Sequence, residues 1–547
     1  ALENTLNCLM NCITDTDLPV RIQAAIALPE LVRYEKVRER MLPNLGRILQ
    51  ELLKLSSEVD LDALTNTTRS MVGEFSEEVV PFAVELSQSL VESYRRLLQE
   101  TLEAREKEGA DDLFDDEKTM VMMNVLKTIE QLVSSVREKK ELVAEIEKSV
   151  APLLEASIRN SVVELFDETY EILDSLTFFQ QAISPAMWGC FEATYQILMQ
   201  EASDYLHDTM GFIDNCINYG AEYLSTSTDY RRYVLEIFNM AMTSRALGAE
   251  DRVIACKLAE TLLLRLHGQV DEAIPPVVEH CMAFVLSKND DDDFVVTKTL
   301  FLHALELVIL AVSYNPQQAI AILDRHDWTQ QFFAQWFKNL GKYTRVHDKK
   351  IVLWAICALF DWLNGTGAGS PLAGNAAQLV QGALEVFRTY PRALGERKVA
   401  EANRDLDEED VSDDGMSDED DLDLGDDDGD FDEADVRDRT TDYLDQLAQS
   451  EANRLARAGA FSDGDSAWSD EILWASPLDQ FDSYQRFSTL LAGLQSANPT
   501  LYQSSLAGLS AEQQAVLADV AAKAAEGGDA VVAAQAFAAL QAEGDAE

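Results

Sequence analysis

Four short runs decide the reading of this chain: Leu42-Pro43-Asn44-Leu45, Val80-Pro81-Phe82-Ala83, Val150-Ala151-Pro152-Leu153 and Ile274-Pro275-Pro276-Val277. Each sets proline among aliphatic residues. The first helical turn tolerates proline because an N–H there has no intrahelical partner to lose, so each run predicts a helix start. The first two prolines are 38 residues apart, and Pro152 to Pro275 spans 123, close to three times 41. The 71 residues from Pro81 to Pro152 read as one repeat swollen by an acidic insert, Glu106 to Glu117. A period near 40 with two helices per unit describes a stack in which no unit buries its apolar face alone.

Working outward, the segments between these starts have helical period. Val20, Ala24, Ala27, Leu28 and Leu31 form one apolar stripe, Val125, Ile129, Leu132, Val133 and Val136 a second, and Ile351, Trp354, Ala355, Ala358, Leu359 and Trp362 a third. Leu300 to Leu310 is apolar nearly all round, which predicts a helix buried between neighbours. Alternating strand patterns bounded by hairpin turns are essentially absent. Asp17-Leu18-Pro19-Val20-Arg21, leading into Ala24-Ala25, is the turn often found before the second helix of a HEAT unit. Pro29, inside an otherwise helical stretch, should kink it or end it early. The fold class is therefore all-α: a HEAT-repeat superhelical solenoid of antiparallel helix pairs, about eight or nine units to Asn364 on this period.

The composition then divides the chain. Residues 1–364 are the solenoid, and 365–399 hold a glycine-rich break and a further helix, Ala376 to Val399. An acidic tract occupies 400–440. A helix from Thr441 to Ala458 and a polar linker fill 441–475, and a helical, alanine-rich tail runs over 476–547. A single core stops growing at roughly 250–300 residues, so 547 residues require an array or several domains. Ala1-Leu2-Glu3 lacks an initiator Met and reads as starting within a helix, as a fragment would.

Charge narrows the partners. With 97 acidic against 44 basic side chains the chain carries −53. Asp405 to Asp438 holds 20 acids against Arg437 alone, which leaves −34 on the rest. Such a surface repels phosphate and excludes direct nucleic-acid binding or residence on an anionic membrane; basic proteins are its natural partners. The tract is expected to be disordered, a solvated polyanion that contacts basic cargo through Asp413, Asp414, Asp418, Glu419, Asp420, Asp421, Asp423, Asp426, Asp427, Asp428 and Asp430. A solubility loop, or a cover for the empty cargo surface, is the competing reading.

Catalytic and metal patterns are missing. The six His are dispersed and form no His-Glu-x-x-His pair, there is no phosphate-binding glycine loop, and no nucleophile elbow appears. His303 reads as a core histidine, and His347-Asp348 as turn formation and capping at a helix start. Asp290 to Asp293 lacks the spaced ligands of a calcium loop. Seven scattered cysteines indicate reduced, intracellular usage; Cys8 and Cys12 lie one turn apart without the second pair a zinc site needs. No basic leader with an apolar core opens the sequence, and no apolar stretch reaches membrane-spanning length. The chain reads as no enzyme and as needing no cofactor.

Certain residues carry a family resemblance. Asp17-Leu-Pro-Val-Arg-Ile-Gln-Ala-Ala-Ile-Ala-Leu28, Leu64-Thr-Asn66 with Glu74 to Glu85, Ser184-Pro-Ala-Met-Trp188 and His347-Asp-Lys-Lys350 occur in order. After the acidic run come Ser476-Pro-Leu-Asp479, Tyr484-Gln485 with Phe487, Asn498-Pro499, Tyr502-Gln503, Gly508-Leu509 and Glu512-Gln513. The collinear set resembles the C-terminal half of the importin-β superfamily, most nearly its importin seven and importin eight branch. The resemblance implies a karyopherin that takes cargo such as ribosomal proteins or histones, passes the pore on Phe-Gly nucleoporins, shuttles between cytoplasm and nucleus, and is unloaded by Ran-GTP. The superfamily's principal Ran-binding repeats lie in an N-terminal half with no counterpart here, so cargo-side function with much-weakened Ran control is expected. The alternative is a HEAT scaffold for a phosphatase, coat or chromatin complex, or an acidic histone-type chaperone.

Overall fold

The computed structural model describes residues 2–108, 116–200, 202–287, 295–367, 369–410 and 476–544. Backbone alone is described at 2–3, 106–108, 116–117, 403–410 and 543–544. Helices make up the described chain, with no strand among the described residues. Packing separates two compact units, 1–247 and 248–547.

The first unit contains α1 (Leu2–Cys12), α2 (Leu18–Ile26), α3 (Leu28–Val32), α4 (Glu35–Met41), α5 (Leu45–Val59), α6 (Asp62–Glu74) and α7 (Ala83–Glu108). It continues with α8 (Asp116–Ser135), α9 (Lys140–Arg159), α10 (Phe166–Gln180), α11 (Pro185–Gln200), α12 (Leu206–Tyr219), α13 (Ala221–Thr226) and α14 (Thr228–Thr243). From α5 onward the helices alternate between two layers. α5 packs on α7, α7 on α9 and α9 on α11, while α6 packs on α8, α8 on α10 and α10 on α12. Contacts of α5 with α6, α7 with α8 and α9 with α10 join the layers, so each pair buries its inner faces on the next, as HEAT units do. The second stripe, Val125 to Val133 on α8 with Val136 just past its end, is fully buried.

Proline placement follows the sequence reading at three of the four runs. Pro43 and Pro81 sit in 3-10 turns, Leu42–Asn44 and Val80–Phe82, that feed α5 and α7. Pro275 lies in the first turn of the helix Ile274–Val285. Pro152 is the exception, because it lies inside α9, which starts at Lys140. Its ring is on the exposed side, while Val143, Ile146, Val150, Leu153, Leu154 and Ile158 are all buried. That continuous face outweighs an interior proline's cost of about 3 kcal/mol. The intervals measured from Pro152 therefore do not mark repeat starts. Pro29 acts as expected: α2 stops at Ile26, and Pro29 enters the first turn of α3. The first stripe is accordingly split between two helices, and its leading member Val20 is exposed.

The second unit contains α15 (Ala249–Arg265), α16 (Ile274–Val285), α17 (Lys298–Tyr314), α18 (Pro316–Arg325), α19 (Thr329–Lys338), α20 (Val346–Asn364) and α21 (Ala376–Asp410). The tail adds α22 (Ser483–Ala497), α23 (Pro499–Ser505), α24 (Ala511–Glu526) and α25 (Asp529–Gly544). α17 is buried on every side, as its nearly all-round apolar sequence predicts, with α15, α16, α18 and α20 around it. α20 is also buried nearly all round. Of the expected stripe, Ile351, Ala355 and Leu359 are enclosed while Trp354, Ala358 and Trp362 are half-buried, and Val352, Leu353, Ile356 and Phe360 outside it are enclosed as well.

After α20 the chain turns through Gly367, where an added Cβ would stand 2.5 Å from the Trp362 indole, so only glycine fits. A 3-10 turn, Pro371–Asn375, then opens α21 at the predicted residue. α23, α24 and α25 all pack on α21, and α22 packs on α20. The described residues are all-α, with helix pairs stacked in the HEAT manner. Among the described residues no helix is long and apolar enough to cross a membrane.

Candidate functional site

The acids expected to meet cargo, Asp413 to Asp430, lie outside the described residues, as do Asp290 to Asp293, the predicted helix from Thr441 to Ala458 and most of the insert Glu106 to Glu117. What the structure defines is how the chain is held on either side of the acidic segment. α21 leads into it, and the chain resumes at Ser476, where a capping box closes a 3-10 turn: Ser476 N donates to Asp479 Oδ2 at 2.8 Å and Leu478 N donates to Ser476 Oγ at 3.3 Å. Arg397 on α21 reaches across to Asp479 at 3.0 Å, so an ion pair joins the two flanks.

A buried polar cluster fixes the second flank. Asp529, at the start of α25, accepts from Tyr390 OH on α21 at 2.7 Å and from Ser483 N at 3.0 Å. Ser483 Oγ donates to Tyr390 OH at 3.0 Å. Lys350 on α20 donates to Leu478 O at 3.0 Å and stands 3.5 Å from Asp529. Burial raises the Asp529 carboxyl above its ordinary value, against the pull of Tyr390 and Lys350. Gly528, with φ +71°, lets the chain enter α25 where a Cβ would lie 2.1 Å from Asp482 Oδ2.

A second cluster was not legible as such in the sequence. His347 and Asp348 do not cap α20, whose N-cap is Arg345 without a side-chain cap bond. Asp348 is instead fully buried and grips the Arg345 guanidinium, with Nε at 2.9 Å and Nη2 at 2.7 Å from Oδ1. His347 Nε2 meets Glu260 of α15 at 2.6 Å, and Lys349 donates to Tyr343 O at 2.6 Å. The capping reading fails because the start of α20 is enclosed by α17 and α21, where a charge must find a partner side chain rather than solvent. His303 is a buried core histidine, as read.

In the first unit, Trp188, Tyr223 and Tyr230 cluster with centroids 4.9–5.5 Å apart, and Tyr195 stacks on Tyr233 at 4.0 Å. Arg232 lies 5.3 Å from the Tyr233 centroid and 3.3 Å from Asp229. That local pairing shows how aromatic faces flanked by acid accommodate a guanidinium.

No family model matches the chain. Among curated proteins it is 27% identical to human importin-8 over 93% of its own length and 47% of that protein's. It is 26% identical to a probable importin-7 homolog of Dictyostelium discoideum, over 65% of the chain and 32% of the relative. It is likewise 26% identical to an importin beta-like SAD2 homolog of Arabidopsis thaliana, over 72% and 38%. The chain spans about half the length of these relatives, or less. Stacked helix pairs, an acidic segment between α21 and the tail, and similarity along most of the chain converge: the chain is similar to the importin-7/importin-8 branch of the importin-β superfamily.

Proposed function

We propose that this chain is the cargo-side part of a nuclear transport receptor that binds Lys/Arg-rich proteins and carries them through the nuclear pore under Ran-GTP control. The observation that carries this reading is the acidic segment, held between α21 and the tail by the Arg397–Asp479 pair, in a chain of importin-branch sequence. Its field captures a basic partner over long range, with strong salt dependence, and the solenoid supplies a surface on which that partner settles. Phe-Gly nucleoporins are the expected contacts during passage. An N-terminally extended form should bring a fluorescent basic cargo into the nuclei of permeabilised cells only when Ran is supplied with GTP. Accumulation indifferent to Ran loading would replace the transport reading with that of a scaffold or acidic chaperone.

A further inference from the structure

The core of the second unit contains a group of potential ligands that transport does not use. His303 and Glu306 are three residues apart on α17 and so share a face. Glu260 comes from α15, which packs against α17. One ligand atom from each of the three lies within 4.8 Å of the other two. His303 is 5% and Glu306 1% exposed. Both Glu306 carboxylate oxygens are enclosed without a hydrogen-bond partner. Arg345 Nη2 stands 3.9 Å from Glu306 and is committed to Asp348 at 2.7 Å. A carboxylate enclosed in this way is strongly unfavourable unless a proton or a cation answers it.

We propose that Glu260, His303 and Glu306 form a binding site for a single first-row divalent cation of the zinc class. One imidazole and two carboxylates, with water completing the shell, is a ligand set that suits zinc. Closing the present spacing to ligand bonds of about 2.0–2.2 Å takes side-chain shifts of under about 1 Å each. Glu260 is oriented by His347, whose Nε2 meets one of its oxygens at 2.6 Å; such a histidine–carboxylate contact fixes a ligand from behind and leaves the other oxygen for the ion. Burial, reinforced by Lys257, Arg345 and His347, lowers the His303 pKa well below its ordinary value and keeps the imidazole in the neutral, ligating form. Burial, with Asp348 and Glu260 beside it, raises the Glu306 carboxyl well above its ordinary value, and a cation bound there releases whatever proton the group holds. Glu260 retains 15% side-chain exposure and provides the way in. The site is independent of the transport reading.

The test is calorimetric titration of the chelator-treated full chain with Zn²⁺, in two buffers of different ionisation enthalpy and with excess Mg²⁺ to occupy the acidic segment. Co²⁺ is titrated in parallel. One tight equivalent, proton release, and the intense visible bands of low-coordinate Co²⁺ are expected. Glu306→Gln should weaken zinc binding at least about tenfold. Gln keeps the shape of a protonated carboxyl and cannot ionise, so the variant should fold at least as stably as the parent, and lost binding would not reflect unfolding. His303→Gln should erase the cobalt bands. Absence of a tight equivalent, or binding and spectra unchanged in both variants, would overturn the site and assign any bound metal to the acidic segment.

Discussion

The two units solve the same burial problem with different polar chemistry. In the first, enclosed polar side chains are mostly hydroxyls that satisfy themselves on their own helix: Thr68 on Leu64 O at 2.9 Å, Thr101 on Leu97 O at 2.9 Å, Thr194 on Cys190 O at 2.9 Å. In the second, the enclosed groups are charges brought together from different helices, Glu260 with His347, Arg345 at the start of α20 with Glu306 of α17, and Lys350 with Asp529. A hydroxyl bonded four residues back says nothing about neighbouring helices, whereas a charge bonded across helices holds only when both are correctly placed. The first unit is thus held mainly by shape. The second is also held by charge matching, and it is the unit that carries both flanks of the acidic segment.

The sharpest way to break this contrast is Arg345→Ala. Removing one partner leaves Asp348 buried and unpaired and should cost about 3–5 kcal/mol in the second unit, read as the loss of its thermal transition. A loss below about 1 kcal/mol would mean that the charges are not structural. Next is Asp529→Ala, which removes the acceptor shared by Tyr390 and Ser483. It should cost about 1.5–3 kcal/mol, and amide exchange should accelerate over 476–544 with little change before 248. Unaltered protection of the tail would show that α21 holds it by apolar contact alone.

Glu306→Gln sharpens the comparison through pH. The folded-state pKa of Glu306 lies well above its ordinary 4.5, so the folded protein holds this proton more tightly than the unfolded chain does. The stability that proton brings is complete below pH 4.5 and is lost as pH rises through the folded value. In chelator, the variant should therefore match the parent in acid and become progressively more stable than it as pH rises. The groups facing this carboxyl are Glu260, His303, Arg345, Asp348, Tyr343 and Cys256. His303 acts oppositely, since its lowered pKa withdraws stability as pH falls below 6.5. A constant gap between variant and parent would contradict the Glu306 assignment. Smallest of all, Thr68→Val in the first unit should change stability by about 1 kcal/mol or less, because its hydroxyl serves only its own helix. A larger loss would erase the contrast.

Much of the fold could be read from local residues. The largely apolar run of α17, the break before Pro29 and the start of α21 at Ala376 each depend on a few adjacent side chains. Pro152 misled because its tolerance within α9 depends on which face of that helix is covered, a tertiary fact. The charged core was half visible. His303 and Glu306 stand in an otherwise apolar helix, and His347 to Lys350 adjoin a helix too apolar to be exposed. Charges in such segments need partners, and two of these segments in one chain could have been matched to each other. Distance along the sequence concealed the match, since Glu260 and His347 are 87 residues apart. The acids proposed for cargo contact were legible only as a run, because their function depends on summed charge rather than on any one position.

The central claim is that this run captures basic proteins. Its most direct test is the affinity of the chain for a Lys/Arg-rich protein across a salt series, with and without residues 405–438. The account predicts weaker binding and a flatter salt dependence after deletion; unchanged affinity and slope would contradict it.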